Sequence, residues 1–121
     1  MTLLSILVVE DDEALRSTVV KFLREEGFVA DGVSDGRTAL TYAEGKRPDV
    51  VVLDLHLPLM DGWNVARSIK ERGINSKILV LTAAHNARSA AEQLRADGYV
   101  AKPFALLQLL RAIEQLDEAA A

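Results

Sequence analysis

The chain has 121 residues, 50% of them apolar and 26% charged, with a net charge of −4 and no cysteine. This is the length and balance of one globular domain, and it excludes a disulfide framework and a thiolate metal site. The acidic balance argues against a nucleic-acid surface, which needs a basic stripe. No apolar run reaches the ~20 residues of a membrane helix, and the start lacks the basic region of a signal peptide, so a cytoplasmic protein with no membrane partner is expected.

Two kinds of segment alternate. Leu3–Val9 (LLSILVV) reads as a strand and is followed by a helix over Asp12–Glu26, with Leu15, Val19, Phe22 and Leu23 on one stripe and Gly27 as its stop. Phe28–Val33 is the second strand. A helix over Asp35–Glu44 follows, with Ser34 or Asp35 as N-cap, Leu40 and Ala43 as anchors and Gly45 as stop. The third strand is Asp49–Asp54 (DVVVLD). After turn chemistry at Asp61-Gly62, a helix over Trp63–Arg72 presents Val65, Ala66 and Ile69 and ends at Gly73. Lys77–Thr82 is the fourth strand, Asn86–Ala96 an Ala-rich helix with few large anchors, Gly98–Lys102 the fifth strand. A last helix over Phe104–Glu118 carries Leu106, Leu107, Leu109, Leu110, Ile113 and Leu116.

Strands one, three and four are almost continuously apolar, as strands covered on both faces are. The order is (βα)5. It predicts an α/β fold: a doubly wound, five-stranded parallel sheet in the flavodoxin-like order 2-1-3-4-5, with right-handed crossovers and helices on both faces. The elements fill the chain, so a single domain over 1–121 with a core of about 3–116 is expected, with no output domain in this sequence.

Ligands of such sheets bind at the carboxyl ends of the strands. Glu10, Asp11 and Asp12 follow strand one, Asp54 ends strand three, Thr82 ends strand four and Lys102 ends strand five. Strands one and three are neighbours in this order, so their acids crowd one crevice. Two carboxylates ~4 Å apart repel by roughly 4 kcal/mol at an effective dielectric near 20, which calls for raised pKa values or a cation. All-oxygen ligands suit a hard ion, magnesium first. An ammonium and a hydroxyl beside such a carboxylate prepare the site for phosphoryl oxygens, and the carboxylate itself can become an acyl phosphate.

The set ILVVEDD, VVLDLHLPLMDG, VLTA and YVAKPF, in that order and over roughly Leu3 to Leu116, resembles the response-regulator receiver domain of two-component signalling. The resemblance implies that Asp54 is the phosphoacceptor. Glu10 and Asp11, with Asp54 and the backbone carbonyl of His56, would hold Mg2+. Thr82 would hydrogen-bond the phosphoryl group, Lys102 would ion-pair with it, and Tyr99 would swing inward as Thr82 moves. The Lys102–Pro103 bond would be cis. The donor would be a histidine kinase or histidine phosphotransfer protein. The receiver of the signal would be a downstream protein target reached through the face of the fourth helix, fifth strand and fifth helix, which is also the candidate homodimer contact. The variable positions after Asp54 and Thr82 are His56, which could orient or shield a water, and Ala84, which cannot orient one. The stretch from Thr82 to Lys102 is about two residues shorter than the family pattern, which predicts a short, shifted or poorly formed fourth helix.

Duller roles compete at several positions. Asp12 is better placed as the N-cap of the first helix than as a ligand. Tyr99 suits core packing as well as a switch. His56 and His85 read as loop residues, and Trp63 as a half-buried residue near the site. Two rival functions follow. One is a degenerate receiver acting as a phosphorylation-independent interaction module. The other is an aspartyl-nucleophile phosphatase of the haloacid-dehalogenase type, disfavoured because His56 stands where a second acid belongs. An enzyme acting on outside substrates is therefore not expected.

Overall fold

The computed structural model describes residues 4–57 and 60–120. Strands and helices alternate throughout: β1 (Ser5–Val9), α1 (Glu13–Glu25), β2 (Val29–Val33), α2 (Gly36–Lys46), β3 (Val50–Asp54), α3 (Gly62–Glu71), β4 (Lys77–Ala83), α4 (Ala84–Leu94), β5 (Gly98–Lys102) and α5 (Leu106–Ala120). Leu3, the expected start of the first strand, lies outside the described residues. All pairings are parallel and the strand order is β2-β1-β3-β4-β5, the flavodoxin-like arrangement that the sequence predicts.

Strand alternation divides the core in two. Leu7, Val9, Val51, Leu53, Ile78 and Val80 point to one face, where α2, α3 and α4 cover them with Leu40, Val65, Ile69 and Leu94. Ile6, Val8, Val50, Val52, Leu79 and Leu81 point to the other, under Val19 and Leu23 of α1 and Leu109 and Ile113 of α5. Both faces of β3 are buried along its whole length, which is why its sequence shows no polar alternation.

The helix starts follow capping chemistry. Asp12, Asp35 and Asp61 each accept a hydrogen bond from the backbone N–H three residues on, at 3.0, 2.9 and 2.9 Å. Asp12 is thus a cap, and Asp35 rather than Ser34 caps α2. Gly45 is not the stop of α2. The helix runs on to Lys46, and Arg47 takes the left-handed cap at φ 46°.

The fourth helix is shifted, one of the outcomes expected of the shortened stretch: it runs from Ala84 to Leu94, not from Asn86 to Ala96. It is not short, since α4 spans 11 residues, as α2 does. The missing chain comes out of the connection, because β4 runs to Ala83 and α4 begins at Ala84 with no loop between. His85 consequently sits in the first turn of a helix, not in a loop. The side chain of the cap residue, Ala83, has no acceptor for the first amides. Small buried residues, Ala87, Ala90 and Ala91, let α4 lie close to the sheet.

Two glycines differ in what they permit. A Cβ on Gly62 would stand 2.5 Å from Leu55 Cα and 2.6 Å from Asp54 O, whereas one on Gly45 meets nothing within 4 Å. Gly62→Ala is therefore expected to cost roughly 1–3 kcal/mol of unfolding free energy through overpacking against backbone. Gly45→Ala should add about 0.5–1 kcal/mol by removing a helix-interior glycine. Urea unfolding midpoints that move in opposite directions for the two variants are the check.

Candidate functional site

The alternation that sorts the core also assembles the site. Glu10 continues the face of Ile6 and Val8, Asp54 that of Val50 and Val52, and Lys102 that of Val100. All three side chains therefore emerge on the α1/α5 side at the carboxyl edge of the sheet. Lys102 Nζ donates to Glu10 Oε1 at 2.8 Å and to Asp54 Oδ2 at 3.0 Å. Both carboxylates are 2% exposed. Ionised groups so deeply buried need a partner, and removing one partner of such a pair costs about 3–5 kcal/mol.

The remaining carboxylate oxygens are also engaged. Asp54 Oδ1 accepts from the backbone N–H of His56 at 3.0 Å, and Glu10 Oε2 from that of Asp12 at 3.2 Å. Asp11 is exposed at the mouth. Oxygens of Glu10, Asp11 and Asp54 lie within 4.8 Å of one another, the one such acidic group among the described residues. They are positioned to chelate a divalent cation, and an all-carboxylate donor set fits a hard one.

Proton affinities reflect the crowding. The hydrogen bond that the protonated Asp11 carboxyl donates to Glu10, burial and the Glu10 charge raise Asp11 above its usual 3.8, against the opposing pull of a backbone hydrogen bond and of Lys102. For Lys102, burial disfavours the ammonium, but hydrogen bonds and charge from Glu10 and Asp54 outweigh it and raise the group above its usual 10.5. Its contribution to stability is thus present below that value and fades only as pH climbs through the higher folded one.

Thr82 is buried and belongs to the other face of β4, with Ile78 and Val80. It lines a cleft of about 250 Å³ with Leu55, His56, Trp63, Asn86 and Ser89, between α3 and α4. Trp63 is half-buried there. The hydroxyl thus stands beside the acid cluster, not within it. Tyr99 is 45% exposed on the edge strand β5, opposite Val80. The Lys102–Pro103 peptide bond is cis.

One participant had no place in the sequence reading. Arg16 Nη1 donates to the backbone carbonyl of Glu10 at 2.9 Å. The available signal was its place four residues after the cap Asp12, which turns a long side chain back over the loop.

Residues 6–114 match the response regulator receiver domain, and the chain belongs to that family. It is 42% identical over 113 residues to response regulator MprA of Mycolicibacterium vanbaalenii, covering 92% of this chain and 49% of that protein. It is 35% identical to transcriptional regulatory protein PcoR of Escherichia coli, with 92% and 50% covered. The chain spans about half the length of the curated relatives it matches. Among solved structures it is similar to chemotaxis response regulator CheY4 of Vibrio cholerae, with a TM-score of 0.87, 27% identity and 95% and 99% of the two chains covered. It is likewise similar to the receiver domain of a sensor histidine kinase from Pseudomonas aeruginosa, with a TM-score of 0.85, 30% identity and 95% and 98% covered. That structure has a magnesium ion coordinated in its active site cleft. Glu10, Asp11 and Asp54, with Lys102 bridging two of them, match the phosphoacceptor and metal-binding architecture of the family.

A raised Asp11 pKa means that the folded chain binds a proton which the unfolded chain has released. Stability from this group is full below pH 3.8, falls as pH rises through the folded value, and stays lost at neutral pH. Asp11→Asn should therefore raise the thermal midpoint at pH 7 in chelator. Added divalent cation should stabilise the parent chain but not the variant, as read by thermal unfolding with and without the ion.

Proposed function

We propose that residues 1–121 act as one receiver domain, with a core of about 3–116, in which Asp54 accepts a phosphoryl group from a histidine kinase or a histidine phosphotransfer protein. The observation that carries this is the two-pronged contact of Lys102 with Glu10 and Asp54. It puts a fixed positive charge where phosphoryl oxygens arrive on Asp54.

In the transfer, an Asp54 oxygen attacks the phosphorus of a phosphohistidine. The P–N bond breaks with its electron pair leaving on the imidazole, and an acyl phosphate forms. The His56 N–H and the Lys102 ammonium hold the two Asp54 oxygens, so the carboxylate needs little reorganisation before attack. Lys102 then faces the phosphoryl oxygens, and the Thr82 hydroxyl donates to them from the cleft side. In autodephosphorylation water attacks phosphorus, the P–O bond to Asp54 breaks with its electron pair returning to the carboxylate, and inorganic phosphate leaves. Glu10, Asp11, Asp54 and the His56 carbonyl would hold Mg2+, which when bound would supply charge neutralisation and orientation of the phosphoryl group. His56 is exposed, beside the path that a hydrolytic water would take.

The output reading couples Thr82 to Tyr99. Thr82 is buried beside the cleft between α3 and α4, and Tyr99 lies on the neighbouring strand β5, 45% exposed. Phosphorylation then biases the α4/β5/α5 face toward a downstream protein target or a second copy of the chain. The rival of a degenerate receiver drew its support from an eroded fourth helix, and the 11 residues of α4 remove that support.

Acetyl phosphate or beryllofluoride with Mg2+ should change Trp63 fluorescence in the parent chain. Asp54→Ala should abolish the change, and Lys102→Ala should slow phosphorylation by about 10²-fold. A response that survives Asp54→Ala refutes the assignment.

A further inference from the structure

We infer that Arg16 is the positioning residue that fixes the acidic loop for cation binding, an inference that rests on Glu10 and Asp11 being the ligands. Two consecutive carbonyls of that loop turn toward the side chain of this one residue. Arg16 Nη1 donates to Glu10 O at 2.9 Å and, at a longer 3.5 Å, to Asp11 O. Its backbone N–H makes the ordinary first-turn bond of α1, to Asp12 O at 2.9 Å, which any residue there would make. The loop is tied on its other side by the Glu10 N–H, which donates to Val33 O at 3.1 Å. The backbone of the loop is thus held on both sides, while the Glu10 carboxylate meets Lys102.

The choice of residue follows from the geometry. A guanidinium reaches two neighbouring carbonyls from a single planar group, which an ammonium does less well, and charge-assisted bonds of this kind are the stronger ones. It binds carbonyls rather than the carboxylates, so it adds positive charge near the cluster without occupying the ligand oxygens. Lys102 differs, since it sits on those oxygens directly.

A second residue shares the arrangement. Gly32 of β2 lies under the Arg16 stem: a Cβ there would stand 2.9 Å from Arg16 Cγ and 3.1 Å from Cδ, with Val20 Cγ2 at 3.0 Å. Gly32 pairs with Val8, two residues before Glu10. A glycine in the edge strand thus opens the path by which the arginine reaches the loop, and the edge of the sheet is coupled to the site through one side chain.

The test is Mg2+ titration followed by Trp63 fluorescence, with each variant first shown to unfold cooperatively. Arg16→Met keeps the stem over Gly32 and removes the guanidinium. It should weaken Mg2+ binding by about tenfold, the scale of outer-shell substitutions at metal sites. Arg16→Lys should recover part of the loss. Gly32→Ala should weaken binding in the same direction. The double variant Gly32→Ala/Arg16→Met should be no weaker than Arg16→Met alone, because both act through one contact. A merely structural arginine would lower the unfolding midpoint and leave the Mg2+ dissociation constant unchanged, and that result overturns the inference. If Arg16→Met does not fold, Gly32→Ala carries the same test, with an unchanged dissociation constant again the overturning result. A parent chain with no saturable Mg2+ response overturns the metal reading itself, and the positioning role with it.

Discussion

One ammonium between two buried carboxylates is the constraint on which the rest of the site depends. Glu10 and Asp54 come from adjacent strands on the same face of the sheet, so their repulsion is built into the topology, and a cation between them relieves it with both acids ionised. Lys102 supplies that cation from β5, although β4 lies between β5 and the acid on β3. The residue opposite Lys102 in β4 is Ala83, and its small side chain leaves the lysine stem a way across. The reach of a lysine, a small residue beneath it and the strand order 1-3-4-5 are thus parts of one solution.

The sheet makes the arrangement rigid. β3 is buried on both faces and paired on both edges, so Asp54 sits at the end of a fixed rod. Backbone contact continues past it: Gly62 N donates to Leu55 O, and only a glycine lets α3 approach the end of β3 so closely. A carboxylate held in place by packing loses little entropy on reaction. The cost falls on Asp11, whose ionised form is disfavoured by its neighbours. Local conflict of that kind marks a functional position more than a structural one.

The helix beside the site is held unequally at its two ends. Lys70 of α3 donates to Leu94 O and Arg95 O, closing the carboxyl end of α4, where a cation also complements the helix dipole. At the other end, next to Thr82, there is no side-chain cap and no connecting loop. Its buried face is mostly alanine, which brings the backbone close to the sheet but buries little area per residue. The end of α4 next to Thr82 thus lacks the side-chain tie that the other end has.

Strand identity, parallel pairing and the roster of strand-end acids were legible in the sequence because each rests on local pattern. Continuous apolar runs mean strands covered twice, short intervening helices mean crossovers, and Asp at a helix start means a cap. What tertiary structure alone decided concerns contacts between distant residues. Ser34 and Asp35 were equal candidates until geometry placed the Asp35 carboxylate on the Thr38 amide. Gly45 looked like a helix stop, yet α2 runs two residues past Glu44 and the left-handed turn falls to Arg47. The shortened stretch after Thr82 announced itself in the sequence, but only the fold showed that a loop, not the helix, absorbed it. Arg16 and Gly32 lie 16 residues apart in an α1–β2 unit, and no spacing rule links them. Their meeting depends on the angle at which α1 crosses the sheet, which the whole core sets.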